Sequence, residues 1–423
     1  MKIPVTTGDM LHLIGGFGGG IDYTVRLSLR LRDPIDGAML ADAVGKTQQR
    51  FPYLSIRLFK DDAEYYYESN PAPVKLANNR NIVTLNSKDS NYHMWAVCYD
   101  NDYLFLDVAH GICDGTGMYM LLSTLLYYYC NLRYGVTDHT GIRTLEDPVK
   151  PEEYLDPLDN LPQVDLSGPR PEAAFTLLSD GGLTPCEPLV YDIAINEESL
   201  LQYAFSNDAS PGSLVLILLC RAIDRLYPGR NKSLNATYIY NARQMLGAPE
   251  THHNCSGSIN FTYTDQIRAM PLQRQCTVHR GTTFLQSDAE RVQGAMIGLA
   301  SLSRMLKAQT VEKQKQAFGQ ILLSARQTAT TLVSYVGQWK STSLASYIEE
   351  FWTHVPNASC EFVSEIAAVN GRIFLSVHQM FKEDCVVKAF LEELENANIR
   401  YEIREKMSVD IAGVMEPTST TLS

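Results

Sequence analysis

The sequence predicts an α/β fold built as two lobes of similar make-up. Strand-like and helix-like periodicities alternate along the chain instead of segregating. That alternation stops between about residues 145 and 185, where prolines and acids cluster, and then starts again. A length of 423 residues suits two domains or one bilobed unit. The N-terminal lobe is expected over residues 1–165, closing in the proline-rich linker from about 145, and the C-terminal lobe over 166–423.

Taken in order, Ile21 to Leu31 alternates as a strand with Arg26 and Arg30 on one face. Asp36 to Phe51 follows as an amphipathic helix, with Met39, Leu40, Ala43 and Val44 on one side and an aspartate at its start. Short strands are expected over Tyr53–Phe59, Glu64–Tyr67, Met94–Tyr99 and Tyr103–Val108, then a helix from Gly115 to Tyr129. Beyond the linker come a strand over Leu189–Ile195, an apolar helix over Gly212–Tyr227 and a strand over Leu234–Tyr240. A long helical region covers Thr283 to Leu332. Phe362–Ala367 and Arg372–His378 read as a hairpin on an Asn370-Gly371 turn. A helix over Asp384–Asn396 and a last strand over Tyr401–Ile403 complete the pattern.

A formal charge of −12 without a lysine/arginine block argues against nucleic acid or an anionic membrane as main partner. The stretch from Arg268 to Lys315 leans basic, which fits either a face for an anionic ligand or a solvated helix surface. The start lacks the apolar core of a signal peptide. The longest apolar run, Leu214 to Cys220, falls far short of the about 20 residues a bilayer needs. Nine scattered cysteines without C-x-x-C pairs read as reduced thiols, so a cytoplasmic protein is expected.

The stretch that carries chemistry is Tyr103-Leu-Phe-Leu-Asp-Val-Ala-His110-Gly-Ile-Cys-Asp114-Gly-Thr-Gly. His110 sits where a strand breaks into a turn, and an imidazole there can exchange a proton near neutrality as a general base. Asp114 has an ordinary role open to it as the N-cap of the following helix. Gly15 to Gly20 precedes a strand instead of opening a helix, so the dinucleotide fingerprint fails and a flexible loop is expected. His252-His253 with Cys255 has metal-binding residue types but no zinc spacing, and no metal is expected. Cys113, Ser213, Trp339 and Tyr127–Tyr129 read as packing.

A strand-His-x-x-x-Asp-Gly-helix about a quarter of the way along such a chain resembles the chloramphenicol acetyltransferase-like superfamily. That superfamily includes condensation domains and alcohol acetyltransferases. Arg50-Phe51-Pro52-Tyr53-Leu54 is similar to its "R-x-P-x-L". Arg243 with Asn254-Cys-Ser-Gly257 is similar to its "R … N-x-x-G", and Ser334-Tyr335-Val336-Gly337 to its "S-N-x-G". Ala109 stands in place of a first histidine, Tyr335 in place of an asparagine, and the plant Asp-Phe-Gly-Trp-Gly signature is absent.

The resemblance implies two α/β sandwich lobes forming a pseudo-dimer around a central tunnel. It implies an acyltransferase of the HxxxD type with acyl-CoA as co-substrate, no bound cofactor and a hydroxyl or amine acceptor. His110 would be the base, and Asp114 would hold the loop through Arg243. Gly115 would let the backbone pass close to the tunnel, and Ser334 and Gln338 would contact the thioester oxygen. A monomer is expected. Two rivals stay open: a condensation-type enzyme using a separate carrier protein, since no Leu-Gly-Gly-x-Ser carrier motif is present, and a catalytically silent interaction module.

Overall fold

The computed structural model describes residues 2–18, 23–61, 63–166, 172–409 and 415–417. β1 (Ile3–Pro4) leads into α1 (Thr7–Gly18) and, further on, β2 (Thr24–Leu31). The glycine run is therefore helical through Gly18, not a loop, because Met10, Leu13 and Ile14 bury one helical face; residues 19–22 lie outside the described residues. α2 (Gly37–Arg50) begins at Asp36, whose carboxylate accepts from the amides of Ala38 and Met39. Pro52–Leu54 forms a 3₁₀ turn, so the strand expected from Tyr53 starts only at β3 (Ile56–Lys60). β4 (Tyr65–Ser69), β5 (Leu76–Asn78), β6 (Trp95–Asp100), β7 (Tyr103–Ala109) and α3 (Gly115–Tyr134) follow.

Between residues 135 and 184 the described chain holds only short 3₁₀ turns, at Pro151–Glu153 and Pro157–Asn160. Regular structure resumes with β8 (Pro185–Asn196), α4 (Glu197–Ser206), α5 (Pro211–Leu226), β9 (Leu234–Asn241), β10 (Ser256–Tyr263) and the short α6 (Asp265–Arg268). The long helical region expected over Thr283 to Leu332 starts earlier and is broken into α7 (Leu272–Gln286), α8 (Ala289–Lys307) and α9 (Val311–Thr328), and its last two residues already belong to a strand. It breaks where Asp288 accepts from the Glu290 amide as an N-cap and again at Gln309-Thr310. β11 (Thr331–Gln338), α10 (Thr342–Ala345), β12 (Ile348–His354), β13 (Phe362–Val369), β14 (Arg372–Phe381), α11 (Cys385–Asn396), β15 (Tyr401–Val409) and β16 (Met415–Pro417) complete the fold. The β13–β14 hairpin turns at Asn370 and Gly371, both at positive φ (52° and 74°), as the Asn-Gly pair requires.

Two large sheets carry the architecture. One has eight strands in the order β10-β9-β11-β13-β14-β8-β15-β16, the other five in the order β12-β2-β7-β6-β5. β12 comes from the second half of the chain yet pairs antiparallel with β2, completing the first sheet. Its Phe351 and Trp352 join one core with Ala367, Val369 and Phe374 of the other sheet. A second core lies under α5 and α11, filled by residues such as Val215, Leu219, Ile366, Leu375 and Phe390. Where the sheets meet, His354 Nε2 lies 3.2 Å from both carboxylate oxygens of Asp192, which also accepts from Ser376 Oγ at 2.7 Å.

No helix of the described residues is long and apolar enough to cross a membrane. All nine cysteines are free thiols.

Candidate active site

β7 ends at Ala109, and the chain turns at once: the Ile112 amide donates to the Ala109 carbonyl at 3.0 Å. His110 is fixed there on three sides. Its amide donates to the Tyr23 carbonyl at 2.8 Å, and its carbonyl accepts from Asn254 Nδ2 at 3.0 Å. Its ring Nδ1 lies 3.1 Å from the Cys113 carbonyl, which can only accept, so Nδ1 carries the proton and Nε2 is left as the basic nitrogen. Burial holds this imidazole below its ordinary value.

Asp114 does two jobs at the base of α3. As N-cap it accepts from the Thr116 and Gly117 amides, both at 3.1 Å. It also takes a two-pronged ion pair from Arg243, at 2.7 and 2.6 Å, and accepts from the Cys255 amide at 3.0 Å. Burial pushes the Asp114 carboxyl up, but the Arg243 guanidinium and these hydrogen bonds outweigh it and hold the group below its ordinary range. Arg243 is itself committed to the Thr251 and His253 carbonyls. The pair thus staples the His110 turn to the 251–256 segment.

Two glycines make that staple possible. A Cβ at Gly117 would stand 2.3 Å from the His252 carbonyl oxygen, and one at Gly111 would stand 2.5 Å from Leu13 Cδ2. Gly115 opens α3.

Around this centre the structure gathers further residues, of which His12, Tyr23 and Glu153 were not marked by the sequence. His12, on α1, stacks on the His110 ring, and Tyr23 stands edge-on to both. Arg50 makes a buried two-pronged pair with Glu153, at 2.9 Å on each arm, and the Tyr53 hydroxyl donates to the same carboxylate at 2.8 Å. Arg50 and Tyr53 belong to the segment that the "R-x-P-x-L" pattern had marked, and Asn254 to the "N-x-x-G" pattern. His12 had no signal of its own, because nothing but the helix around it gives it a direction.

His252 and His253 are spent on protein contacts. His252 Nδ1 donates to the Ile112 carbonyl at 2.8 Å, and its ring stacks on Tyr53. His253 Nδ1 pairs with Asp9 at 2.8 Å and its Nε2 donates to the Tyr154 carbonyl at 3.0 Å. Burial would lower His253, yet Asp9 and Asp156 outweigh it and raise the group to about 9. Asp9, Asp156 and His253 bring donor atoms within 4.8 Å of one another, but with both ring nitrogens engaged they form an ion-pair cluster.

Ser334 lies on β11 opposite Glu365 of β13, and burial pushes that carboxyl up to about 7. Gln338, at the end of β11, lines a cavity of roughly 700 Å³ that opens beside the first turn of α3. Thr116, Tyr119, Arg143, Lys150 and Lys340 share its wall. Neither Ser334 nor Gln338 is hydrogen-bonded to His110. In the basic stretch from Arg268, four cations are occupied by internal partners: Arg268 and Arg280 pair with aspartates, Arg304 donates to the Leu158 carbonyl, and Lys307 to that of Val5.

No sequence model of a protein family matches the chain, and no curated protein sequence does. Solved structures do. TRI101 from F. sporotrichioides, in complex with coenzyme A and T-2, matches at a TM-score of 0.63 with 12% identity, over 95% of this chain and 99% of that one. Polyketide synthase associated protein 5 from Mycobacterium tuberculosis matches at 0.60 with 12% identity, over 93% and 96%. The first condensation domain of the CDA synthetase matches at 0.57 with 13% identity, over 94% and 95%. The matches cover nearly the whole of both chains in each case. The chain has the two-lobed chloramphenicol acetyltransferase-like fold of acyltransferases and condensation domains.

Proposed function

We propose that the chain is an acyltransferase that moves an acyl group from acyl-CoA to a hydroxyl or amine. One observation carries the reading: His110 is a neutral imidazole whose Nδ1–H is tied to Cys113, leaving Nε2 as a free base at the strand end. Nε2 takes the acceptor proton as the acceptor oxygen or nitrogen attacks the thioester carbon. The tetrahedral oxyanion then collapses, the C–S bond breaks, and the thiolate leaves with the proton that His110 held. A positioned base contributes ~10²–10⁴-fold, and holding donor and acceptor in line contributes more. No acyl-enzyme is required, which agrees with Cys113 being buried and its thiol pushed well up by that burial.

Asp114 does not touch substrate in this mechanism; with Arg243 it keeps the turn in place. The cavity beside α3 is the donor entrance in this reading. Lys150, Lys340 and Arg143 at its wall suit the phosphates of coenzyme A, and Gln338 suits a polar atom of the pantetheine arm or thioester. Support for a coenzyme A donor comes from TRI101, which shares the fold and holds coenzyme A.

The test is thiol release from a panel of acyl-CoA donors with mixed alcohol and amine acceptors, comparing the wild type with His110→Ala. Acceptor-dependent release that falls by at least ~10²-fold in the folded variant is expected. Release only from a carrier-protein thioester would replace the donor with a carrier-bound one. Equal release from both proteins would remove His110 as the base.

A further inference from the structure

The acyltransferase mechanism makes no use of His12, yet α1 sets this side chain flat against the base. The two imidazoles stack with ring centroids 4.4 Å apart and planes 10° from parallel. Tyr23 closes the group edge-on, 5.8 Å from His12 and 6.3 Å from His110.

The placement is enforced from several segments. The Thr7 amide and hydroxyl both donate to Asp159, at 2.8 and 2.6 Å, and the Gly8 amide donates to Asp156 at 2.5 Å. Asp9 holds His253, and Ser303 Oγ donates to the Thr7 carbonyl at 2.7 Å. One turn beyond these anchors comes His12, and Leu13 beside it is the residue that Gly111 must be small enough to admit.

The charged and titratable groups around the pair are few. Asp114 is neutralised by Arg243, the Cys113 thiol and the Tyr23 phenol are both pushed up by burial, and Arg326 of α9 acts on Tyr23. Asn254 is uncharged. Burial is therefore what chiefly sets the proton affinity of His110, and the His12 ring is the surface that covers its face. Burial, and then His110 itself, hold His12 well below its ordinary value, so it stays neutral while His110 works.

We propose that His12 is a positioning residue for the base: its neutral ring covers one face of His110, keeps water from it and fixes the plane of the imidazole during acyl transfer. This rests on the acyltransferase reading and adds a residue to it. The role is that of a flat neutral aromatic plate, so phenylalanine can take it over and alanine cannot.

The test uses the full chain with His12→Ala and His12→Phe. The His110 ring titration is followed by ¹³C-resolved NMR, with His110→Ala assigning the signal, and thiol release is measured beside it. In His12→Ala the His110 titration is expected to move up toward its ordinary value near 6.5, and kcat to fall about tenfold with the KM for acyl-CoA within about twofold. In His12→Phe the titration should stay at its wild-type position and kcat should return to within about threefold of wild type. A His110 titration unmoved in His12→Ala, or moved equally in both variants, overturns the proposal. If the wild type releases no thiol from any donor, the acyltransferase reading fails instead, and the ring titrations still decide whether His12 governs His110. Should His12→Ala not fold, His12→Phe alone decides: a shifted titration there overturns the plate.

Discussion

Two buried ion pairs flank His110, and they are built from different chemistry. Asp114–Arg243 joins the α3 cap to the 251–256 segment; Asp9–His253 joins α1 to the same segment. Arginine remains charged at any pH a protein survives, so the first pair can fail only from its carboxylate side. Its depressed carboxyl contributes stability present above the unfolded value near 3.9 and lost as pH falls through the lower folded one. The second pair fails from its histidine side. With His253 raised from near 6.5 to about 9, its contribution is complete below about pH 6.5 and is lost as pH rises through about 9. One segment, residues 251–256, is thus held by an acid-sensitive bond on the α3 side and an alkali-sensitive bond on the α1 side. What differs is the part of the site that each releases: the turn bearing His110, or the helix whose His12 stacks on it.

The sharpest break of that comparison is Arg243→Met. It strands a buried carboxylate and is expected to lower unfolding free energy by ~3–5 kcal/mol at pH 7, read from urea midpoints. Next comes pH. Between pH 7 and 10 the wild type should lose stability of order 3 kcal/mol through His253, and His253→Gln should flatten that slope. An equal alkaline loss in His253→Gln would assign the slope to another group. Smaller again is Gly117→Ala, where the new methyl meets the His252 carbonyl. A loss of about 1–3 kcal/mol is expected, with thiol release falling because the segment that holds the His110 carbonyl is pushed aside.

What the sequence made legible is what local physics dictates. β7, its turn and α3 are written in the alternation of Leu104, Leu106 and Val108 and in Asp114 as cap, so His110 and Asp114 could be placed before any coordinates. Asn370-Gly371 announced its hairpin because both residues tolerate the left-handed backbone. β12 was not seen. Glu349 and Glu350 interrupt its apolar run, and Glu350 is buried only because Trp352 Nε1 donates to it and Arg30 lies beside it, partners supplied by the fold. β10 carried a usable signal that went unread: Gly257, Ile259, Phe261 and Tyr263 alternate inward against Ser256, Ser258, Asn260 and Thr262. His12 could not be read, since its contact with His110 depends on a helix anchored by Asp156, Asp159 and His253, all far along the chain.

The pairing of β12 with β2 also sets a timetable for synthesis. Arg26 faces His354 across that pair, so the first sheet cannot close until more than three hundred further residues have been made. At ~5–20 residues per second the nascent N-terminal half waits tens of seconds with the flank of β2 uncovered. During that interval the partly exposed Arg30 sits along the waiting strand, and a charge there discourages pairing with a neighbouring polypeptide on the same polysome. The strand that completes the first sheet is also the one that covers the edge of β2.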